Sequence, residues 1–184
     1  MANFITLSRI ALIIPFCLAF MTNASWNMKA AFILFALAAI TDFLDGWVAR
    51  ARNETSRLGA ALDPLADKLL ITAALILLLR NGLVHGAGAI AVLVILLREV
   101  LVSGLREAVT AAGGALPVTS VAKWKTTAQL LAAGTLLLAS PTGFFPGNFM
   151  ASTGIGLLWF AAILTFWTGA DYSAKAYRFL TTAD

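Results

Sequence analysis

Four aspartates lie close together in a stretch of sequence that is otherwise strongly apolar. They are Asp42, Asp45, Asp63 and Asp67. An ionised carboxylate inside a bilayer costs about 2.5–3.5 kcal/mol even on the translocon-insertion scale, which gives the lowest estimates. Four such residues therefore indicate that the carboxylates serve a function. An α-helix turns by about 100° per residue, and at these spacings the members of each pair project from one face of their helix.

Converging carboxylates without compensation would repel one another and take up protons. Divalent cations supply the compensation, because Mg²⁺ binds carboxylate, water and phosphate oxygens. Four carboxylates suit two such ions, an arrangement that stabilises the attacking and the leaving oxygen of a reaction at phosphorus. Two alternatives stay open. Intramembrane acids also serve ion and proton transporters, and one or two could form structural pairs with arginine.

Small residues share the two acidic faces. Gly46 and Ala49 lie on the face of Asp42, and Gly59 lies on the face of Asp63. Small side chains let a ligand approach the backbone closely, although they also permit tight packing of helices in lipid. Helix packing explains Ala49 equally well, but it does not explain why small residues share a face with acids.

The elements that must position these residues are predicted to be membrane helices. The chain has 184 residues, of which 60% are hydrophobic and 12% charged, and one span takes about 20 apolar residues. Apolar runs separated by polar, Gly or Pro breaks predict six spans, near 6–21, 30–50, 58–80, 87–111, 118–139 and 149–179. We therefore expect one all-α integral membrane domain over residues 1–184.

The third of these helices contains Pro64, between two of the aspartates. If the helix starts close to Pro64, the missing N–H matters little, and Asp63 and Asp67 lie in the first turns, near the N–H dipoles. The alternative is a helix begun near Leu58, with the proline inside it. Both placements bring Asp67 close to one surface of the membrane.

Basic residues give the orientation. Six spans put both termini on one side, and ten of the thirteen Lys and Arg residues fall there: Arg9, Arg50, Arg52, Arg57, Lys68, Arg106, Lys123, Lys125, Lys175 and Arg178. Only Lys29 and Arg80 fall opposite, and Arg98 lies mid-span. The positive-inside rule makes the side of the termini, with the aspartates, cytoplasmic.

Charge and cysteine content exclude other classes of protein. The formal charge is +4, but no basic run exists, and basic ends on membrane helices explain the excess without nucleic acid. Cys17 is the one cysteine of the chain, which excludes an intramolecular disulfide and a multi-cysteine metal site.

The residues around the aspartates resemble the CDP-alcohol phosphatidyltransferase family of six-helix membrane enzymes. Eight positions reproduce its pattern D-x2-D-G-x2-A-R-x8-G-x3-D-x3-D without a departure: Asp42, Asp45, Gly46, Ala49, Arg50, Gly59, Asp63 and Asp67. The segments "NFITLSRIALIIP", "DPLADKLL", "REVLVSGLRE" and "KWKTTAQ" resemble the bacterial members that use glycerol 3-phosphate.

The resemblance implies a reaction and residues that carry it. The phosphatidyl group of CDP-diacylglycerol would pass to sn-glycerol 3-phosphate, with release of CMP. Two Mg²⁺ or Mn²⁺ ions would be held, one by Asp42, Asp45 and Asp63, the other by Asp42, Asp63 and Asp67, with Asp67 as the general base. The CDP-diacylglycerol site would comprise Gly46, Ala49, Arg50, Ser56 and Gly59, with Asn3 and Thr6 on the first helix. The family also implies a homodimer in the inner membrane of a bacterium.

An anionic acceptor needs cations beyond the metals. Arg98 is the first candidate, because a mid-membrane arginine is costly unless it has a partner, and Arg106, Lys123 and Lys125 complete the predicted acceptor-phosphate site. The alternative for the arginines is structural pairing with Glu99 and Glu107. Serine, inositol phosphate or phosphatidylglycerol as acceptor stays open, as does a divalent-cation or proton-coupled transporter, which would bind metal without releasing CMP.

Overall fold

The computed structural model describes the backbone of residues 2–52, 57–117 and 120–182, and the side chains of residues 8–41, 65–66, 68–117, 121 and 124–181. These residues are helical with short connections and contain no strand. Their six helices are α1 (Ala2–Met21), α2 (Asn27–Arg52), α3 (Arg57–Arg80), α4 (Ala87–Ala111), α5 (Ser120–Ala139) and α6 (Asn148–Thr182). Each helix coincides with one predicted apolar run, within a few residues at either end.

The helix connections depend on glycine at the points where the chain must reverse. Gly113 has a φ of 80°, and its N–H donates to the carbonyl of Thr110 at 3.0 Å. The N–H of Gly114 donates to the carbonyl of Val109 at 2.9 Å. This pair of bonds is a Schellman motif, which ends α4 sharply and starts the connection to α5.

The start of α3 decides between the two placements of Pro64. The helix begins at Arg57, and Pro64 therefore lies inside it. Asp63 and Asp67 are the seventh and eleventh residues of α3. They lie beyond the first turn, and the helix dipole acts mainly within that turn. Of the two placements that the sequence left open, the structure therefore has the second, a helix begun near Leu58 with the proline inside it.

The core contains side chains from all six helices. Phe16 of α1, Phe35 of α2, Leu75 of α3, Ile95 of α4 and Leu136 of α5 are fully or almost fully buried, and Leu158 of α6 joins them. Alanines fill the narrowest places between helices: Ala31, Ala74, Ala91, Ala132 and Ala161 are all 0% exposed. Small residues at helix contacts are typical of bundles in lipid, where backbones pack closely.

The outer surface of the bundle is apolar. Val100 is 74% exposed, Phe149 is 82% exposed and Trp167 is 73% exposed, a pattern that fits lipid and not water. Within the described residues, α4 and α6 are long and apolar enough to cross a membrane, and the apolar segments Ser8–Met21 and Asn27–Thr41 are shorter. At about 1.5 Å per residue, the 35 residues of α6 exceed the hydrocarbon thickness of about 30 Å.

Candidate active site

The four aspartates lie on two consecutive helices. Asp42 and Asp45 belong to the C-terminal half of α2, and Asp63 and Asp67 belong to the first half of α3. Their side chains are outside the described residues, as are those of Gly46, Ala49, Arg50, Gly59, Asn3 and Thr6, and Ser56 lies outside them altogether. The end of the bundle where α2 ends and α3 begins is called the aspartate end below.

The chemistry of the donor set fits a divalent cation. Four carboxylates on two neighbouring helices offer the oxygen ligands that Mg²⁺ and Mn²⁺ prefer. The part of the chain with described side chains contains no other candidate, since it has no group of three or more His, Cys, Asp or Glu that could hold a metal ion. The aspartates are therefore the donor set considered below for a metal site.

A cluster of buried and partly buried cations lies between α4, α5 and α6. We call Arg98, Arg106 and Lys125, with the carboxylate of Glu99, the cationic cluster. Arg98 is 8% exposed and Lys125 is 5% exposed. Glu99 accepts a hydrogen bond from Lys125 and pairs with Nη1 of Arg98 at 3.4 Å. One carboxylate thus serves two cations, and the cluster keeps an excess of positive charge.

The sixth helix completes the surroundings of Arg98. Its Nη2 donates to Oγ1 of Thr168 at 3.1 Å. One turn earlier, Oγ1 of Thr165 accepts a hydrogen bond from Gln129 of α5 at 3.1 Å. Gly169 lets α6 come close, because a Cβ at this position would lie 2.7 Å from Cγ of Arg98. The hydroxyl of Thr168 thus accepts one of the hydrogen bonds that the buried guanidinium of Arg98 can donate.

Tyr172 lies between the two arginines. The Cζ atoms of Arg98 and Arg106 are 5.7 and 5.4 Å from the centroid of its ring, within the range of a cation–π interaction. Its hydroxyl donates to the carbonyl of Pro117 at 2.8 Å, and Nη2 of Arg106 donates to the carbonyl of Leu116 at 3.2 Å. Both side chains are therefore tied to the α4–α5 connection.

Two donors in the cluster lack a hydrogen-bond partner among the described residues. They are the buried Nε atoms of Arg98 and Arg106. Buried donors are usually bonded, and an exception often marks a place where a ligand or ion belongs. Beside Arg106 there is an open depression of about 610 Å³, lined by Arg106, Glu107, Thr110, Ala111, Ala115 and Leu116.

Lys68 connects the cationic cluster to the helix of the aspartates. Its Nζ donates to Oγ of Ser103 at 2.6 Å, and this oxygen in turn donates to the backbone carbonyl of Glu99 at 2.5 Å. Lys68 directly follows Asp67 in α3. The bond therefore places α4, with Glu99 and Ser103, beside the part of α3 that carries Asp67.

The structure brings together three of the four residues predicted to bind the acceptor. Arg98, Arg106 and Lys125 meet in one cluster, and the side chain of Lys123 lies outside the described residues. The predicted pair of Arg98 with Glu99 is present. Arg106 donates to Leu116 instead, and none of the ion pairs between described side chains includes Glu107, which is exposed.

Sequence reasoning missed the residues that α6 contributes. The sequence indicates only an apolar last helix, yet Thr165, Thr168, Gly169 and Tyr172 line the side of α6 that faces the cluster. A signal was present: these residues recur at intervals of three and four in a strongly apolar helix, the spacing of one helical face. Gln129 and Ser103, which connect the cluster to α6 and α3, were missed as well.

Comparison with known proteins gives one consistent result. The family model described as CDP-alcohol phosphatidyltransferase matches residues 1–167. The chain is 42% identical to the CDP-diacylglycerol–glycerol-3-phosphate 3-phosphatidyltransferase of Rickettsia felis, over 92% of this chain and 91% of the relative. Proteins of the same name from Haemophilus influenzae and Pseudomonas fluorescens are 37% and 39% identical. The match to the Haemophilus influenzae protein includes 92% of this chain and 89% of that protein. The match to the Pseudomonas fluorescens protein includes 98% of this chain and 91% of that protein.

Proposed function

The chain belongs to the CDP-alcohol phosphatidyltransferase family, and we propose that it transfers the phosphatidyl group of CDP-diacylglycerol to sn-glycerol 3-phosphate with release of CMP. The observation that carries this proposal is similarity, over about nine tenths of both chains, to enzymes named for that reaction. The complete eight-residue motif at 42–67 supports it from the residues themselves.

The aspartates would hold the metal ions. Asp42, Asp45 and Asp63 would bind one Mg²⁺ or Mn²⁺ ion, and Asp42, Asp63 and Asp67 the other. Bound there, the ions would neutralise the charge of the pyrophosphate and of the leaving CMP. Gly46, Ala49 and Gly59, which share the faces of the acids in the sequence, would leave room for the nucleotide. Further contacts with CDP-diacylglycerol would come from Arg50, Ser56, Asn3 and Thr6.

The chemical step needs a base and an oriented acceptor. Asp67 would take the proton from the sn-1 hydroxyl of glycerol 3-phosphate. The oxygen then forms a bond to the phosphorus that bears diacylglycerol, and the bond from that phosphorus to the CMP oxygen breaks. A positioned base contributes typically about 10²–10⁴-fold. Positioning and electrostatic stabilisation supply the greater part of the acceleration.

The cationic cluster would bind the phosphate of the acceptor. Arg98 and Arg106 offer guanidinium donors suited to phosphate, with Lys125 in the cluster and Lys123 two residues before it. The excess positive charge supports a dianionic ligand over zwitterionic serine. The bond from Lys68 to Ser103 supports the placement, because it brings the cluster close to Asp67 along α3.

The membrane topology that fits these roles has six spans and both termini in the cytoplasm. All six helices of the described residues contribute to one core, which supports a single domain. The excess of basic residues at the aspartate end supports a site that opens to the cytoplasm across the inner membrane of a bacterium. Acyl chains could then remain in lipid while the headgroup reacts at the interface. The proposal includes a homodimer only because the family resemblance implies one.

The testing experiment is CMP release by the purified protein in detergent with CDP-diacylglycerol and Mg²⁺. We expect release that depends on glycerol 3-phosphate and not on serine or inositol phosphate. Asp67→Asn should lower turnover by about 10²–10⁴-fold and retain metal-dependent binding of CDP-diacylglycerol, whereas Asp42→Asn should reduce both.

Each other result has a definite meaning. Release with a different acceptor would keep the metal site and contradict the phosphate role of Arg98 and Arg106. Metal binding without release for any acceptor would favour a divalent-cation or proton-coupled transporter. Equal loss of CDP-diacylglycerol binding in Asp67→Asn and Asp42→Asn would contradict the separate role of Asp67 as base.

A further inference from the structure

Tyr172 is the point where three parts of the aspartate end of the bundle meet. It belongs to α6, is 2% exposed, and contacts arginines of α4 with its ring. Its hydroxyl reaches the connection between α4 and α5. The match to the family model covers residues 1–167 and does not include Tyr172.

The two arginines need such a contact to act on one ligand. They are eight residues apart in α4, about 12 Å along the helix axis. Each guanidinium nevertheless lies within 6 Å of the same ring centroid. The cation–π interactions with the shared ring stabilise both guanidinium groups near each other, although their like charges repel.

The hydroxyl fixes that ring in position. Tyr172 and Arg106 bond the carbonyls of consecutive residues, Pro117 and Leu116. The α4–α5 connection is therefore held by a side chain of α6 and a side chain of α4 together. It leads directly into α5, which carries Lys125, and its position affects both ends of the cationic cluster.

The balance of charge shows what the arrangement can receive. Arg98 shares the carboxylate of Glu99 with Lys125, whereas Arg106 forms no ion pair with another described side chain. The Nε donors of both arginines have no hydrogen-bond partner within the described residues. A phosphate next to the ring would supply the missing negative charge and acceptor oxygens.

We propose that Tyr172 is a positioning residue, which holds Arg98 and Arg106 in the arrangement that binds the acceptor's phosphate group. The inference rests on the proposed function for the identity of the acceptor. Tyr172 acts through the arginines and does not touch the reacting atoms. Its influence therefore belongs to acceptor binding and leaves the binding of CDP-diacylglycerol unchanged.

The test compares Tyr172→Leu and Tyr172→Phe with wild type, as full-length protein in detergent. Leucine removes the ring and the hydroxyl, and we expect the KM for glycerol 3-phosphate to rise about tenfold, from the loss of two cation–π contacts. Phenylalanine keeps the ring, and we expect a rise of only about two- to threefold. The KM for CDP-diacylglycerol should not change in either variant.

Tyr177→Leu is the matched control, because Tyr177 lies on the same helix and is 71% exposed. It should leave both KM values unchanged. If the leucine variant fails to fold, Tyr172→Phe retains the packing of the ring and still tests the role of the hydroxyl, and an acceptor KM equal to that of wild type then overturns the inference. An unchanged acceptor KM in a folded Tyr172→Leu protein overturns the inference, as does an equal rise in the KM for CDP-diacylglycerol.

Binding of inorganic phosphate, measured on the same proteins by equilibrium titration, separates this inference from the proposed function. It requires no turnover. Weaker phosphate binding in Tyr172→Leu, with no change in Tyr177→Leu, supports the positioning role even if glycerol 3-phosphate proves not to be the acceptor. Equal phosphate affinity in all of these proteins contradicts it, whatever the reaction.

Discussion

At the scale of single residues, Glu99 and Gly169 define the surroundings of Arg98 from opposite sides. Glu99 supplies the negative charge that a buried guanidinium requires, since an unpartnered buried charge destabilises a protein strongly. Gly169 supplies space, because its missing side chain leaves room for the stem of the arginine. Charge and volume together determine where the guanidinium lies.

Gly169→Ala is expected to weaken acceptor binding. The new Cβ would lie 2.7 Å from Cγ of Arg98. This atom is close to the backbone, so the arginine can relieve the contact only by changing its rotamer. We expect the KM for glycerol 3-phosphate to rise about tenfold or more, since small displacements of positioning groups have large effects, and steady-state kinetics at saturating CDP-diacylglycerol would measure it.

Gly156→Ala is the matched control on the same helix, because a Cβ at residue 156 has no atom within 4 Å in the described structure. It should leave the acceptor KM unchanged. If both alanine variants behaved alike, the effect would come from helix propensity, and the packing of Gly169 against Arg98 would not govern acceptor binding.

At the scale of elements, α6 has two separate tasks along its length. Its C-terminal part faces the cationic cluster through Thr168, Gly169 and Tyr172. Its N-terminal part packs on α5, where a Cβ at Gly154 would lie 2.8 Å from the side chain of Leu136 and 3.2 Å from its backbone nitrogen. One helix therefore combines a binding face with a packing face.

Gly154→Ala should separate these tasks. The contact with the backbone of α5 cannot be relieved by a rotamer change, and overpacking of this kind costs typically about 1–3 kcal/mol. We expect a lower thermal midpoint in detergent. The acceptor KM should not change, because Gly154 is about 27 Å along the helix from Tyr172. A rise in that KM, with an unchanged midpoint, would contradict the division of α6.

At the scale of the whole molecule, the proposed function assigns the aspartates of α2 and α3 and the cations of α4 and α5 to one site. The bond from Lys68 to Ser103 joins the two groups. A bundle of six helices can present one negative and one positive surface side by side, which suits a reaction between two anionic substrates. Bound metal ions would allow the negative surface to bind an anion.

Removal of divalent metal should abolish the reaction and spare the fold. EDTA should eliminate CMP release, since four carboxylates without cations cannot bind a pyrophosphate. Added Mg²⁺ or Mn²⁺ should restore the release. Circular dichroism should show the same helix content throughout, because the described core is built from apolar side chains. CMP release that persists in EDTA would contradict the metal assignment.

The sequence by itself determined the helices and the acidic motif that is proposed to bind metal. Apolar runs, breaks and the spacing of Asp42, Asp45, Asp63 and Asp67 are local properties, and helix geometry converts them directly into elements and faces. The family pattern is local for the same reason, because its eight positions occupy two consecutive helices. The choice between two placements of Pro64 needed the observed start of α3 at Arg57.

Only the tertiary structure decided which helices surround the cationic cluster, the proposed acceptor site. Arg98 and Thr168 are 70 residues apart in the chain, and no local pattern fixes how α6 is rotated against α4. The sequence permitted a pair of Arg106 with Glu107, but successive residues of a helix do not face each other. The packing of α6 on α4 and the α4–α5 connection gives Arg106 other partners, Tyr172 and Leu116. Rotation and distance between helices depend on side-chain packing across the whole core, and the role of Tyr172 therefore emerges only from the fold.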